Sequence, residues 1–268
     1  MSEADAIDRL DEPNTVSSLV ADFRTLGVRE GDTLLVHSSL SALGWVCGGA
    51  QAVVDALQSV VTDAGTLVVP THTGQFTDPA VWSNPPVPGT WVEPIREHMP
   101  PYHPAVTPTR GMGAIPECFR RYPGVVRSRH PTVSFAAWGA DAEAIVAGHG
   151  FDDGLGESSP LARLYELNGD VLLLGVGHES NTSLHLAEYR TAGPERPVEE
   201  RAPILEGGSR VFVEFSEIET DTTDFPDLGA DFERQVGCAS GLVGAAEAKL
   251  FSQKALVDFA VEWFAANR

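Results

Sequence analysis

The sequence predicts a single α/β domain built around a mixed sheet, and three observations support this fold class. Short apolar segments typical of buried strands alternate with segments whose apolar residues recur at helical spacing. The chain has 268 residues, 43% of them hydrophobic, which is enough for one large core. No internal repeat or low-complexity linker divides it. We therefore expect one domain over residues 1–268, with a mobile acidic N-terminus at residues 1–14.

The first quarter of the chain predicts a helix followed by a strand–helix–strand unit. Thr15 is expected to cap a helix that ends at Gly27. Buried strands are predicted at Asp32–His37 and Thr66–Pro70, with a helix between them from Ala50 to Thr62. This order implies that the two strands are parallel and joined by a right-handed crossover.

The rest of the chain continues the alternation less regularly. The stretch Thr71–Pro108 has little periodicity and is too long for a simple connection, so we expect it to be functional or to be ordered by something that it covers. The stretch Glu217–Glu233 is predicted to be an acidic loop. Further strands are predicted at Ser134–Trp138, Val171–Gly175 and Arg210–Phe215. Further helices are predicted at Gly113–Tyr122, Asp141–Ala147, Pro160–Leu167, Asn181–Arg190 and Glu247–Phe264.

The charge balance excludes several classes of partner. Asp and Glu number 38 against 18 Lys and Arg, so the net charge is −20 and the sequence pI is about 4.6. Such a chain offers no basic surface for nucleic acid or for an anionic membrane. We find neither a signal peptide pattern nor a stretch of about 18 apolar residues. The three cysteines show no paired spacing, so we expect a soluble cytoplasmic protein with reduced thiols.

Candidate binding residues follow the first predicted strand. Open α/β sheets bind ligands at the carboxyl ends of their strands, and glycines at a helix start let backbone N–H groups approach an anion. The Walker lysine and the GxGxxG spacing are both missing, so for this segment alone a tight turn of small residues is the better interpretation. The candidates here are His37, Ser38, Ser39, Leu40, Ser41, Gly48 and Gly49.

Three further segments are expected near the same edge of the sheet. Thr71 and His72 follow the second strand and should emerge beside the first candidates. An arginine beside glycines would suit a phosphate, although one arginine near a helix is usually a surface residue. That segment contains Arg110, Gly111 and Met112, and the third segment contains Ser128, His130 and Ser134.

The sharpest local pattern follows the most apolar strand. Asn181 is expected to cap a helix carrying His185 and Glu188, which are three residues apart and share one helical face. Glu188 could accept a hydrogen bond from one ring nitrogen of His185, leaving the other nitrogen to take a proton from a substrate. For an arbitrary His-x-x-Glu pair, however, a buried histidine satisfied by its helical neighbour is the commoner explanation.

Two other kinds of chemistry rank lower. Zinc is the weakest of the interpretations because the chain has no HExxH and no paired cysteines, so we expect no metal. Cys47 stands at a helix start and could carry an acyl group. No base is adjacent to Cys47 in sequence. We therefore rank a covalent acyl intermediate on Cys47 below a reaction in which a histidine base acts directly on the substrate.

Taken in order, these segments resemble the aminoglycoside 3-N-acetyltransferase family. The resemblance runs from about residue 15 to the C-terminus and therefore covers nearly the whole chain. The matching segments are LLVHSSLSALGWVCGGAQAVVDAL, GTLVVPTHT, TPTRGMGAIPE, SRHPTVSFAAWG, SPLARLYELNGDVLLLGVG, SNTSLHLAEYR and GLVGAAEAKLF.

The resemblance implies a three-layer α/β/α fold with a central mixed, largely parallel sheet, distinct from the GCN5-type acetyltransferase fold. It also implies an acyltransferase that uses acetyl-coenzyme A to acetylate the 3-amino group of 2-deoxystreptamine antibiotics. His185 matches the catalytic histidine of the family, and Glu188 belongs to the same pattern. Coenzyme A is expected around His37–Ser41, with the other candidate segments lining the same cleft. Direct transfer would then use backbone N–H groups, Thr71 or Thr182 for the oxyanion.

The resemblance is weakest in the regions that would shape the acceptor pocket, residues 79–103 and 221–233. Because aminoglycosides are polycations, an anionic rim would attract them, although the acidity would also suit a salt-rich cytoplasm. The substrate candidates are His72, Asp153, Glu157, Glu179, Asp224 and Asp231. Another amine as acceptor, or a non-catalytic small-molecule-binding protein, remains the alternative, and we expect a monomer or a homodimer.

Overall fold

Short apolar runs become the strands of the domain, and the amphipathic runs between them become its helices. The computed structural model describes residues 3–191 and 197–268. The strands are β1 (Thr33–Ser38), β2 (Thr66–Pro70), β3 (Val126–Arg127), β4 (Phe135–Gly139), β5 (Asp170–Leu174), β6 (Pro197–Glu206), β7 (Ser209–Ile218), β8 (Ala239–Val243) and β9 (Ala246–Ser252). The helices are α1 (Glu3–Ile7), α2 (Val16–Leu26), α3 (Ala50–Val61), α4 (Val92–His98), α5 (Ala114–Phe119), α6 (Ala142–Val146), α7 (Pro160–Glu166), α8 (Ser183–Thr191), α9 (Phe225–Gln235) and α10 (Gln253–Asn267).

Seven of these strands form one mixed sheet in the order β3-β4-β2-β1-β5-β9-β8. The three central strands β2, β1 and β5 pair in parallel, whereas β4 and β9 run antiparallel to their neighbours. Five of the seven strands therefore point the same way, and parallel pairing is confined to the centre. The predicted parallel β1–β2 unit is confirmed by the register Thr33↔Thr66.

Alternate residues of the central strands face opposite helical layers. Leu34 and Val36 pack in a core with α2, α3 and α5. Leu35 faces the other side and packs in a second core with α6 to α10. The period of two along each strand places one apolar side chain on each face. This arrangement gives the three-layer α/β/α fold that was predicted.

Helix α2 shows how local sequence sets the boundaries of an element. The Oγ1 of Thr15 accepts a hydrogen bond from the backbone N–H of Ser18, and the Oγ of Ser18 accepts one from the backbone N–H of Thr15, which is a capping box. Gly27 ends the helix in the left-handed conformation with φ 118°. Both boundaries agree with the prediction.

Three predictions of secondary structure in the last quarter of the chain were wrong or incomplete. The stretch predicted as an acidic loop contains α9, since Phe225, Leu228 and Phe232 bury one helical face. The predicted helix Glu247–Phe264 is divided into β9 and α10, because pairing of β9 with β5 captures its first residues. The hairpin of β6 and β7 was only half predicted, although Gly207 and Gly208, both at positive φ, are typical of a two-residue hairpin turn.

The described part of the N-terminal segment lies against the domain, and the expected mobility of residues 1–14 stays a prediction. Trp45 donates from Nε1 to the Glu3 carboxylate at 3.1 Å and from its backbone N–H to the Ala6 carbonyl at 3.1 Å. The guanidinium of Arg9 donates to the carbonyls of Ser41 and Ala245. These contacts join residues far apart in sequence, so local composition could not reveal them.

No helix within residues 3–191 and 197–268 combines the length and the apolar character needed to cross a bilayer.

Candidate active site

A cleft of about 930 Å³ opens where β1, β2 and β5 end. These strands are parallel neighbours, so the segments that follow them meet at one edge of the sheet. Of the predicted residues, the cleft is lined by His37, Ser38, Ser39, Leu40, Ser41, Gly49, His72, Gly111, Met112, Glu179 and His185. The sequence predicted that these residues lie together, and the structure places them around one cleft. Their roles remain proposals.

Gly175 fixes how the turn after β1 sits against the end of β5. Its φ of 68° lies in the left-handed region, and a Cβ there would come within 2.3 Å of the Ala42 Cβ. The backbone N–H of Ser39 donates to the Leu174 carbonyl at 2.9 Å. Glycine is therefore required where the turn that lines the cleft packs against the chain leaving β5.

His185 and Glu188 form the hydrogen-bonded pair that their spacing predicts. Asn181 accepts from the backbone N–H of Ser183 at the start of α8. Nδ1 of His185 lies 2.6 Å from Oε2 of Glu188. The carboxylate fixes Nδ1 as the protonated nitrogen, so Nε2 remains as the basic one. Since His185 lines the cleft and Glu188 is buried behind it, the geometry suits a general base.

Two further histidines border the same cleft and are held neutral. Burial, followed by the nearby His185, lowers the pKa of His37 to about 3. The pKa of His72 is likewise lowered to about 3, again mainly by burial. The Nε2 atoms of both rings have no hydrogen-bond partner among the described residues. Uncharged rings beside His185 do not repel a cationic acceptor.

His178, three residues before Asn181, is not in the cleft lining. Its Nε2 lies 2.9 Å from Oε1 of Glu233, which also accepts from Nζ of Lys249 at 2.6 Å. Its ring stacks on Phe251 at 5.4 Å between centroids. This histidine anchors α9 to β9 beneath the site.

The comparisons with known proteins agree with this geometry. A family model described as aminoglycoside 3-N-acetyltransferase matches residues 35–265. The chain belongs to this family.

Two relatives of the family show how far the likeness extends. The YokD aminoglycoside N(3')-acetyltransferase-like protein of Bacillus subtilis is 47% identical over 95% of this chain and 94% of its own. Aminoglycoside N(3)-acetyltransferase VII of Streptomyces paromomycinus is 39% identical over 98% of this chain and 96% of its own.

Solved structures of the family share the whole fold. The crystal structure of YokD superposes with a TM-score of 0.96 at 45% identity and covers 98% of both chains. AAC-IIIb in a binary complex with CoASH has a TM-score of 0.86 at 32% identity, covering 95% of this chain and 97% of its own. AAC-VIa bound to sisomicin has a TM-score of 0.84 at 31% identity, covering 96% and 99%.

Several residues that the sequence assigned to coenzyme A lie outside the cleft lining of this family member. Thr71 and Ser134 are buried, and Nε of Arg127 donates to both hydroxyl groups at 3.0 and 3.1 Å. The same guanidinium donates to the Thr107 carbonyl at 2.6 Å and so holds the end of the long segment that follows β2. These hydroxyl groups therefore organise the loop, and Thr71 is not placed to stabilise an oxyanion, whereas Thr182 lines the cleft.

Ser128 and His130 belong to a buried cluster rather than to the cleft lining. Oγ of Ser128 lies 2.9 Å from Nδ1 of His149, and Nε2 of His130 lies 3.0 Å from the Phe151 carbonyl oxygen. Burial lowers the pKa of His130 to about 4 and that of His149 to about 3. Of the other coenzyme A candidates, Gly48 and Arg110 adjoin the lining without being part of it.

The acidic substrate candidates are scattered, and several are engaged by cations of the protein itself. Glu157 pairs with Arg190 at 2.7 Å and Asp231 with Arg234 at 2.7 Å. Asp224 pairs with Arg268 at 2.6 Å, and Asp153 lies outside the cleft lining in a loop. Only Glu179 of these acids lines the cleft, and Glu3 from α1 joins it without having been predicted. An ion pair formed by folding leaves less charge to attract a substrate.

Sequence reasoning missed one wall of the cleft and the support behind its base. Glu3, Ala6 and Trp45 form the missed wall, and no local signal marks it because Glu3 meets Trp45 across 42 positions. Arg268 reaches Glu188 across 80 positions. No cluster of three or more possible metal-ligating residues occurs in the described ranges 3–191 and 197–268, and the expected absence of metal stays a prediction.

Proposed function

We propose that the chain transfers the acetyl group of acetyl-coenzyme A to the 3-amino group of an aminoglycoside containing 2-deoxystreptamine, with His185 as general base. The observation that carries the proposal is the His185–Glu188 pair at the edge of a cleft where three parallel strands end. Family relatives named for this activity, and neighbours bound to CoASH and to sisomicin, support it.

The cleft has features that suit coenzyme A as a substrate. Gly49 is the N-cap residue of the twelve-residue helix α3 and has no side chain to cap it. The first backbone N–H groups of α3 can therefore donate to an anion such as the diphosphate of coenzyme A. The hydroxyl of Ser38 and the Nε2 atoms of His37 and His72 have no hydrogen-bond partner among the described residues. A volume of about 930 Å³ is large enough for an extended nucleotide thioester beside an acceptor.

The pair performs the proton transfers that direct transfer requires. Nε2 of His185 takes a proton from the acceptor amine while the amine nitrogen attacks the thioester carbonyl carbon. The C–N bond forms, the C–S bond breaks, and the sulfur of coenzyme A leaves with the electron pair. The imidazolium, stabilised by Glu188, then returns its proton to the thiolate. The Oγ1 of Thr182 or a backbone N–H group would stabilise the oxyanion between these steps.

The decisive experiment is release of free thiol from acetyl-coenzyme A with a panel of amines. The panel includes aminoglycosides with 2-deoxystreptamine, aminoglycosides without it, and a simple polyamine. We expect thiol release with the first group only, and NMR of the product should show acetylation at the 3-amino nitrogen.

Other outcomes identify the alternatives. Turnover with the polyamine and with no aminoglycoside would show that the acceptor is an amine of another class. Calorimetric binding of coenzyme A or of the drug without thiol release would show a non-catalytic binding protein.

A further inference from the structure

The guanidinium of Arg268 connects three parts of the molecule behind the proposed base. It follows α10 and donates from Nη1 to Oε1 of Glu188 at 2.6 Å. Nη2 donates to the Asp221 carbonyl at 2.6 Å, and the same group grips both carboxylate oxygens of Asp224 at 2.6 and 2.8 Å. It also lies 3.8 Å from the ring centroid of Phe264. A planar, permanently charged group suits such a multidentate position.

We propose that Arg268 is a positioning residue for the reaction, holding Glu188 ionised and aimed at His185. The inference rests on the proposed function of His185 as the base. Arg268 touches neither the cleft lining nor the reacting atoms, so it would act only through Glu188.

The burial of Glu188 explains why a cation is needed there. Its side chain is 2% exposed, and an ionised carboxylate at such a site is costly unless it is paired and hydrogen-bonded. Oε2 is hydrogen-bonded to His185, so Oε1 needs partners of its own. Oε1 accepts from Arg268 and from the backbone N–H of Asp221 at 3.0 Å. Both carboxylate oxygens are thereby satisfied, and the carboxylate cannot rotate away from the imidazole.

The charges around the His185–Glu188 pair determine in which direction the loss of Arg268 changes the protonation of His185. Glu188 lies on α8, Asp221 and Asp224 precede α9, and Arg268 follows α10. Among the described residues, the other titratable groups at the pair are His37 on β1 and His72 after β2, which are uncharged at neutral pH. Arg268 is the one cation bonded to the pair among these residues, so removing it makes the His185 imidazolium easier to form. The base is then protonated at higher pH.

The test compares three variants with the wild type. Arg268→Ala removes the cation, and Arg268→Lys retains the charge without the planar fork. Arg234→Ala is the matched control, since this arginine on α9 is 67% exposed and pairs only with Asp231 among the described residues. The readouts are kcat and kcat/KM against pH, the KM for acetyl-coenzyme A, and NMR titration of the His185 ring.

For Arg268→Ala we expect kcat to fall about 10–100-fold, with the KM for acetyl-coenzyme A unchanged. The acidic limb of kcat/KM and the midpoint of the His185 titration should both move to higher pH. Arg268→Lys should recover part of both effects. Arg234→Ala should change kcat by no more than about twofold and leave the pH profile unchanged.

Two results separate failure of this inference from failure of the proposed function. If Arg268→Ala has the wild-type pH profile, titration midpoint and kcat, the positioning role is overturned while the reaction stands. If the wild type releases no thiol with any amine, the proposed function fails. The NMR titration then still decides whether Arg268 controls the charge state of His185, and an unchanged midpoint overturns the inference.

Discussion

Nδ1 of His185 and Oε2 of Glu188 lie 2.6 Å apart, one turn from each other on α8. The histidine faces the cleft and the carboxylate is buried behind it, so the pair has one accessible and one protected end. The ring centroid of His185 also lies 5.1 Å from that of Phe225 on α9. This arrangement holds the tautomer and the direction of the ring before any substrate binds.

Replacing the base should abolish most of the turnover without abolishing binding. For His185→Ala we expect kcat to fall about 10²–10⁴-fold, because a positioned general base contributes that much. Glu188→Gln should cost about 10–100-fold, since the imidazole loses its ionised partner. His98→Ala is the control, at a histidine that is 76% exposed. Steady-state thiol release and calorimetric binding of acetyl-coenzyme A measure the two effects, and near-normal turnover of His185→Ala would exclude it as the base.

Glu179 should supply local attraction for a cationic acceptor. Glu179→Gln is expected to raise the KM for the aminoglycoside several-fold and to weaken its dependence on salt, because this carboxylate lines the cleft. The KM for acetyl-coenzyme A should not rise in parallel. Glu166→Gln serves as the control at an acid that is 62% exposed and is not part of the cleft lining.

Measurements of kcat/KM from about 0.05 to 0.5 M KCl span the range in which the screening length shortens markedly. An equal salt dependence in Glu179→Gln and the wild type would count against steering by this residue.

Glu217 should make stability fall as pH rises towards neutrality. Burial raises its pKa from 4.5 to about 7, so the folded state favours the protonated carboxyl group. The Tyr189 hydroxyl and the Gly154 N–H donate to it, but they only partly offset the burial. A raised pKa gives a stabilising contribution that is complete below about pH 4.5 and is lost by about pH 7. The full difference is on the order of 3 kcal/mol.

The variant Glu217→Gln isolates this contribution. Buried His130 and His149, whose pKa values are lowered, act with the opposite sign: their contribution is present above about pH 6.5 and is lost as pH falls towards 3–4. Both histidines are present in the two proteins, and although Nε2 of His130 lies 3.6 Å from Oε1 of Glu217, the pKa of about 4 leaves this ring largely neutral at about pH 5 and above, where the comparison is made. Urea unfolding should show Glu217→Gln gaining stability relative to the wild type between about pH 5 and 7.5. A constant difference over that interval would refute the assignment.

Gly175→Ala should damage both the fold and the cleft. The left-handed backbone costs an alanine about 1–2 kcal/mol, and the contact with Ala42 adds about 1–3 kcal/mol of overpacking. Gly208→Ala is the matched control, since its φ is 82° and a Cβ there meets nothing within 4 Å. Urea unfolding should therefore show a larger loss for Gly175→Ala, accompanied by weaker acetyl-coenzyme A binding. Equal losses in the two variants would mean that the close approach to Ala42 is unimportant.

The central sheet and half of the site could be predicted because their signals are local. Strand β2 was predicted at Thr66–Pro70, the bounds that the structure gives it. The His185–Glu188 pair follows from helical spacing alone. Strand β9 could not be predicted in this way, since Ala246–Ser252 becomes a strand only by pairing with β5.

By itself, the sequence determined the α/β class, the parallel centre of the sheet, the family resemblance and the orientation of His185 by Glu188. These properties depend on residues within a turn of a helix or along one strand. Tertiary structure alone decided that Thr71 and Ser134 bind Arg127, that Asp224 binds Arg268, and that α1 forms a wall of the cleft. Apart from Ser134 and Arg127, which are 7 positions apart, these contacts join residues 42 to 56 positions apart, and no local pattern encodes such proximity.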